Sequence, residues 1–265
     1  SLRCLLMLPS TGLMARFCNW LLADRPEQGG VARPRHLDPT ALATPSLALA
    51  NAVRETLRIG DLIETMLGHL LEVLRGNQPT QSRELRELDN DVDSLYSAVK
   101  LYLAQVPREV LSEQESRRWA EIIELAVNLE QAGDIIERML GKLQDQKTAQ
   151  RHSFSDSGLE ELTELHTRLM ANLRLGLSVF LSGDAESARQ LLREKRRFRI
   201  QERRLAHSHV GRLHHQVVQS IETSSLHLEL IGDMKRLNSL VCSSAYVVLE
   251  SRETGALKVE EVGGE

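Results

Sequence analysis

A nine-residue phrase occurs twice in this chain. "NLEQAGDII" runs from Asn128 to Ile136 and "HLELIGDMK" from His227 to Lys235, with Leu, Glu, Gly and Asp at the same four places, 99 residues apart. The repetition reaches beyond the phrase. "LRE" at Leu85–Glu87 recurs at Leu192–Glu194, and "LRGN" at Leu74–Asn77 recurs as "LSGD" at Leu181–Asp184, each 107 residues on. The fall from 107 to 99 places a connection shorter by eight in the second half. Ordered matches in three segments predict a duplicated three-helix unit, each copy burying its apolar stripe against its own two partners.

The punctuation of the chain agrees. All seven prolines lie at or before Pro107, and aromatic residues make up only 3%, so the core must be Leu, Val, Ile and Ala on helices. Thr44 and Pro45 open a helix whose stripe lasts to Gly76. After "NQPTQS", Leu85, Leu88, Val92, Leu95, Tyr96 and Val99 recur at three-four spacing until Pro107. Ser112 with Glu115 forms a capping box for a third helix, where Ile122, Leu125, Leu129, Ile136 and Leu140 share a face. Ser157 with Glu160 predicts another box, opening a fourth helix that closes near Gly183. A break near Gly211 divides the rest into two helices. The fold class is all-α, two tandem antiparallel three-helix bundles at residues 45–148 and 156–250, joined by 149–155 and followed by a tail, 251–265.

Residues 1–22 are apolar but hold Arg3, Pro9 and Arg16, too interrupted for a complete membrane span. Two readings stay open: an amphipathic membrane-associated segment, or the end of a transmembrane helix cut at the start of the chain, which the initial Ser1 favours. Residues 23–44, rich in Pro, Gly and charge, are expected to form a linker. Three cysteines, Cys4, Cys18 and Cys242, lack metal spacing and fit a reducing compartment. A net charge of -4 argues against a nucleic-acid binder.

The acids carry the chemistry. Asp89 and Asp93 stand four apart on the second helix, Glu130 and Asp134 four apart on the third, so each pair shares a face. The pairs are equidistant from the turn at Pro107–Ser112, which predicts four carboxylates at one height along a partly wet seam. Two like charges ~6 Å apart repel by about 0.7 kcal/mol in water and about 3 kcal/mol at an effective dielectric of 20. Four together must spread, protonate, attract basic side chains such as Lys100 and Arg138, or bind cations. Carboxylate oxygens suit Mg, Mn, Fe and Zn.

"DNDVD" (Asp89–Asp93) and "EQAGD" (Glu130–Asp134) on the inner helices of a tandem three-helix bundle resemble the phosphate-uptake regulator (PhoU) family. "REKRRFRIQERRLAHSHVGRL" and "ETSSLHLELIGDMKRLNS" look more closely like the cytosolic tail of bacterial sodium/phosphate cotransporters. The resemblance spans residues 38–250. It implies a regulatory, non-catalytic domain with metal, commonly iron or zinc, at Asp89, Asp93, Glu130 and Asp134. It also implies a membrane transporter portion of the same polypeptide as partner, and a place at the cytoplasmic face of the inner membrane.

The second half departs from this pattern. The 107 offset puts Arg196 and Ile200 where Asp89 and Asp93 stood, so Glu229 and Asp233 are expected to pair with Arg196 or Arg199 instead of holding metal. Arg193, Lys195, Arg196, Arg197 and Arg199 form a basic stretch that fits phosphate or an anionic lipid surface, or simply a solvated face. Phe198 is the only aromatic there, too little to stack bases. His207, His209, His214 and His215 cluster at an expected turn, as exposed polar residues or as ligands for a transition metal. No Glu-x-x-His pair of a di-iron enzyme, phosphate loop or nucleophile-histidine-acid set is present, so no catalytic residue is assigned. Three functions follow in order: a regulatory domain of a sodium-dependent phosphate transporter, a free-standing PhoU-type adaptor of phosphate signalling, and a metal-dependent helical-bundle enzyme. A homodimer is open.

Overall fold

Pro45 sits at the first position of the first long helix, where its missing N–H leaves nothing unpaired, and the Thr44 hydroxyl makes no capping bond. The computed structural model describes residues 32–76, 82–148, 154–214 and 223–250. Six long helices run through them: α1 (Pro45–Leu74), α2 (Ser82–Ala104), α3 (Glu113–Thr148), α4 (Asp156–Ser182), α5 (Ala185–His214) and α6 (Ser224–Val241). Two short 3-10 turns, Pro39–Ala43 and Arg108–Val110, precede α1 and α3. Residues 244–250 form one more helical stretch, and no strand occurs among the described residues.

Caps explain most ends. The Ser112 N–H donates to Glu115 Oε2 at 2.9 Å and the Glu115 N–H to Ser112 Oγ at 3.2 Å, a reciprocal box at the start of α3. At α4 the cap is Ser155, which accepts from the Gly158 N–H, rather than the expected Ser157. Gly183 closes α4 at φ 62°, a left-handed conformation that costs glycine little. The division expected near Gly211 falls slightly later, with α5 running to His214 and α6 beginning at Ser224.

The duplication is visible in the core, in a register one residue away from the sequence match. Glu55, Ile59, Ile63, Leu67 and Val73 of α1 correspond, 106 residues on, to Glu161, Leu165, Leu169, Leu173 and Val179 of α4, all buried. Leu85, Val92 and Val99 of α2 map with the same step to Leu191, Phe198 and Leu205 of α5. For the third pair the step is 98: Leu129, Ala132, Ile136 and Leu143 map to His227, Leu230, Met234 and Val241. One residue is about 100° of helix, so phrases that match in sequence do not face the same way. Gly133 is buried while its phrase-mate Gly232 is exposed.

Within each half the three helices pack on one another, and α1 meets α4 while α3 meets α6 across the halves. Polar contacts pin this joint. His166 Nε2 lies 2.7 Å from the Leu67 carbonyl, Arg174 pairs with Glu64, and Asn128 donates to Ser243. Residues 32–44, expected as linker, lie against the first bundle. The Arg35 and His36 N–H groups donate to the fully buried Glu55 at 3.0 and 2.8 Å, and the Tyr102 hydroxyl to the Asp38 carbonyl. The segment 1–22 and the tail 251–265 fall outside the described residues. No described helix is long and apolar enough to cross a membrane.

Candidate functional site: a carboxylate seam between α2 and α3

The hairpin of α2 and α3 brings three of the four expected acids into one cluster. One oxygen from each of Asp93, Glu130 and Asp134 lies within 4.8 Å of the others, with Asp93 and Asp134 exposed and Glu130 half-buried. Asp89 sits deeper, one turn back along α2. Its Oδ1 is shut from solvent without a hydrogen-bond partner. A methyl group on Gly133 would come 3.4 Å from that oxygen and 3.4 Å from Val92, so glycine lets the α3 backbone close on α2 here. Asp91, between the two acids, is turned to other use and accepts from the Ala32 N–H.

Burial pushes the Asp89 carboxyl up to about 6, and repulsion from Glu137, Asp93, Asp134 and Glu130 adds to it. Asp93 is raised by burial and then by Asp134. Glu130 is raised by burial, then by Asp134 and Asp93, with Lys100 partly offsetting. None of the four acids makes an ion pair with Lys or Arg among the described residues, and the Lys100 ammonium lies over the Tyr96 ring at 5.0 Å. Glu137 faces the same seam, which sequence reasoning missed, although it stands three residues after Asp134. An all-oxygen donor set with an orphaned buried oxygen fits a hard or borderline cation such as Mg, Mn, Fe or Zn.

Among the described residues the second half has no such seam. By the burial register, Lys195 stands where Asp89 stands and Arg199 where Asp93 stands, which replaces the earlier assignment of Arg196 and Ile200. Glu229 and Asp233 do not pair with Arg196 or Arg199. The one-residue rotation turns them toward the first bundle, where Lys142 of α3 lies 2.8 Å from Glu229 and 3.6 Å from Asp233. That contact holds the Glu229 carboxyl below its usual range, helped by the Ser225 hydroxyl.

On α5, Arg193 pairs with Glu186 and Arg197 with Glu194, while the Lys195 ammonium lies over the Tyr246 ring at 4.8 Å. Arg196 and Arg199 are exposed and have no partner among the described residues. The histidines separate. His207 is exposed, whereas His209 is buried and stacks on His227 with ring centroids 4.5 Å apart. The His214 side chain and His215 lie outside the described residues. His227 Nε2 is 3.2 Å from Glu161 Oε2. Sequence reading missed this buried pair and its counterpart Glu55. The signal was a glutamate inside each apolar stripe.

Comparison with known proteins now bears on this geometry. Residues 56–142 match the family model of the PhoU domain. Two solved structures share the fold: PhoU from Pseudomonas aeruginosa, with TM-score 0.68 at 15% identity over 76% of this chain and 96% of that one; and the phosphate transport system regulatory protein PhoU from Streptococcus pneumoniae, also at 0.68, with 16% identity over 78% and 95%. At such identities the likeness is one of fold. The chain is 59% identical over 248 residues to a protein of Escherichia coli K12 named "Putative inorganic phosphate export protein YjbB", and 58% identical to its namesake in Salmonella typhimurium LT2. The match takes in 94% of this chain and 46% of either relative, so the chain spans about half the length of the curated relatives it matches.

These findings overturn one expected partner. Within the described residues of this chain, the expected membrane transporter portion of the same polypeptide is not seen. The relatives align with 94% of the chain under the name of a phosphate export protein, and no described helix can cross a membrane. None of the proteins named above is described as a sodium/phosphate cotransporter. The second of the three functions read from the sequence fits the comparisons better than the first.

Proposed function

We propose that this chain is a PhoU-type adaptor that modulates phosphate movement out of the cell by contact with other proteins, without catalysing a reaction. It acts at the cytoplasmic face of the inner membrane. The PhoU domain at residues 56–142 and the phosphate-export name of the relatives support this reading. The observation that carries it is the carboxylate seam. Asp93, Glu130 and Asp134 gather within 4.8 Å of one another on α2 and α3, with Asp89 one turn deeper. A bound cation there would neutralise the mutual repulsion and tie α2 to α3, which ordinary side-chain contacts in the seam do not. The four carboxylates supply the ligand oxygens, and the orphaned Asp89 Oδ1 gains a partner.

The test is phosphate release from cells loaded with radioactive phosphate, comparing cells with the full protein, without it, and with Asp93→Asn plus Glu130→Gln. Release should change on removal of the protein, and the seam variant should mimic removal. Unchanged release in both would refute the reading.

A further inference from the structure

On α5 the charges divide into two sets. Four arginines pair with glutamates nearby: Arg189 and Arg193 share Glu186, Arg197 meets Glu194 and Arg204 meets Glu164. Arg196, Arg199 and Arg203 are exposed and have no ion-pair partner among the described residues. These three stand at i, i+3 and i+7, which is one outward stripe of a helix. Ile200 stands within the stripe and is 69% exposed, the largest exposure among the large apolar side chains of the described residues. Placing an isoleucine in water beside three uncompensated guanidiniums gains the isolated fold nothing.

Resting on the adaptor reading above, we propose that this stripe of α5 is a docking surface for a partner protein, and that the partner presents an acidic helix with carboxylates at i and i+4 and an apolar side chain between them. Charge complementarity selects the occupant. On α5 the exposed arginines without an ion-pair partner among the described residues fall on one line about as narrow as a helix, matching a linear acidic counterpart. A flat anionic membrane instead favours a broad basic face, and the net charge of -4 on this chain opposes general adhesion to one. Arginine also suits the role, since its planar fork binds carboxylate in two-point fashion.

The experiment uses a synthetic alanine-rich helical peptide with glutamates at i, i+4 and i+8 and one leucine between them. Its binding to the full chain is followed by fluorescence anisotropy at low and physiological salt. Arg199→Glu with Arg203→Glu should weaken binding by about ten-fold or more and remove most of its salt dependence. Arg197→Glu with Arg204→Glu makes the same change of net charge on another face of α5, about 90° round the helix, and should leave binding within about two-fold. Equal weakening by both pairs would overturn the proposal, since net charge alone would then explain the binding. Capture of wild-type protein by phosphatidylglycerol vesicles, with no peptide binding, would overturn it in favour of a lipid contact. Absent peptide binding together with a clear effect of the protein on phosphate release would also overturn it, while leaving the adaptor reading intact.

Discussion

The two bundles share a buried scaffold position for position, yet the same outer rows carry opposite charge. Asp89 and Asp93 on α2 correspond to Lys195 and Arg199 on α5. In the first bundle the row faces Glu130 and Asp134 and makes an unbalanced acidic seam; in the second it is basic, and one of its members lies over Tyr246. Burial fixes which residues can be exchanged without loss of fold, because each core position touches many others. Half-wet seam positions touch few. The difference teaches that the scaffold specifies the bundle and the seams specify what each bundle binds.

The comparison can be broken most severely at Gly176. The first bundle has Leu70 at the equivalent position, whereas a methyl on Gly176 would meet the Val241 carbonyl oxygen at 2.4 Å. Backbone cannot step aside as a side chain can. Gly176→Ala should lower stability by about 3 kcal/mol in urea unfolding. A change below a few tenths would mean that α4 and α6 do not approach so closely.

The buried glutamates come next. Glu55 accepts two backbone N–H groups and pairs with Arg58, while Glu161 meets His227. Glu55→Gln should cost about 2 kcal/mol, because charge-assisted bonds to buried donors become neutral ones. Hydrogen exchange should accelerate at Arg35 and His36 before it does anywhere in α4. Unchanged protection at those two amides would remove the assigned role.

Acid–base behaviour separates the halves on a smaller scale. The folded Asp89 carboxyl is raised from its ordinary 3.8 to about 6. Its protonated form therefore favours the fold, an advantage present in full below pH 3.8 and lost as pH rises through about 6. For this half-exposed group the difference is on the order of 1 kcal/mol after solvent screening. Wild-type protein freed of metal should lose that much, relative to Asp89→Asn, between pH 4 and pH 7. Parallel stability curves for the two would contradict it.

The smallest effect is at the joint. Lys142→Met and Glu229→Gln should each cost about 0.5 kcal/mol, with a double-mutant coupling of similar size, as for other exposed pairs. A coupling of zero would show that Lys142 does not hold Glu229 in solution.

Much of this was legible in the residues. The all-helical duplicated fold followed from the stripes and the repeated phrase, and the meeting of Asp93, Glu130 and Asp134 followed from their distance to one turn, with Asp89 one turn deeper instead of in the cluster. What failed was register. The phrase match placed Arg196 and Ile200 opposite the acids, because short exposed motifs can slide by one residue while the core does not. That slip is about 100° of rotation, and it sent Glu229 and Asp233 to Lys142, a contact between bundles that periodicity within one bundle cannot reveal. The buried pair of Glu161 and His227 was hidden for another reason. A polar residue inside an apolar stripe is readable only when its partner on another helix is known.

Metal content of two double variants tests the central claim most directly. Protein equilibrated with iron or zinc, then exhaustively dialysed, is assayed by elemental analysis beside its metal-free melting curve. Asp93→Asn with Glu130→Gln should abolish metal uptake and leave the metal-free melting temperature equal or higher, because repulsion in the seam is relieved. Glu229→Gln with Asp233→Asn should retain metal and melt slightly lower, because Lys142 loses both partners. Metal that survives the first pair of substitutions and vanishes with the second would contradict the assignment of the cation to the α2–α3 seam.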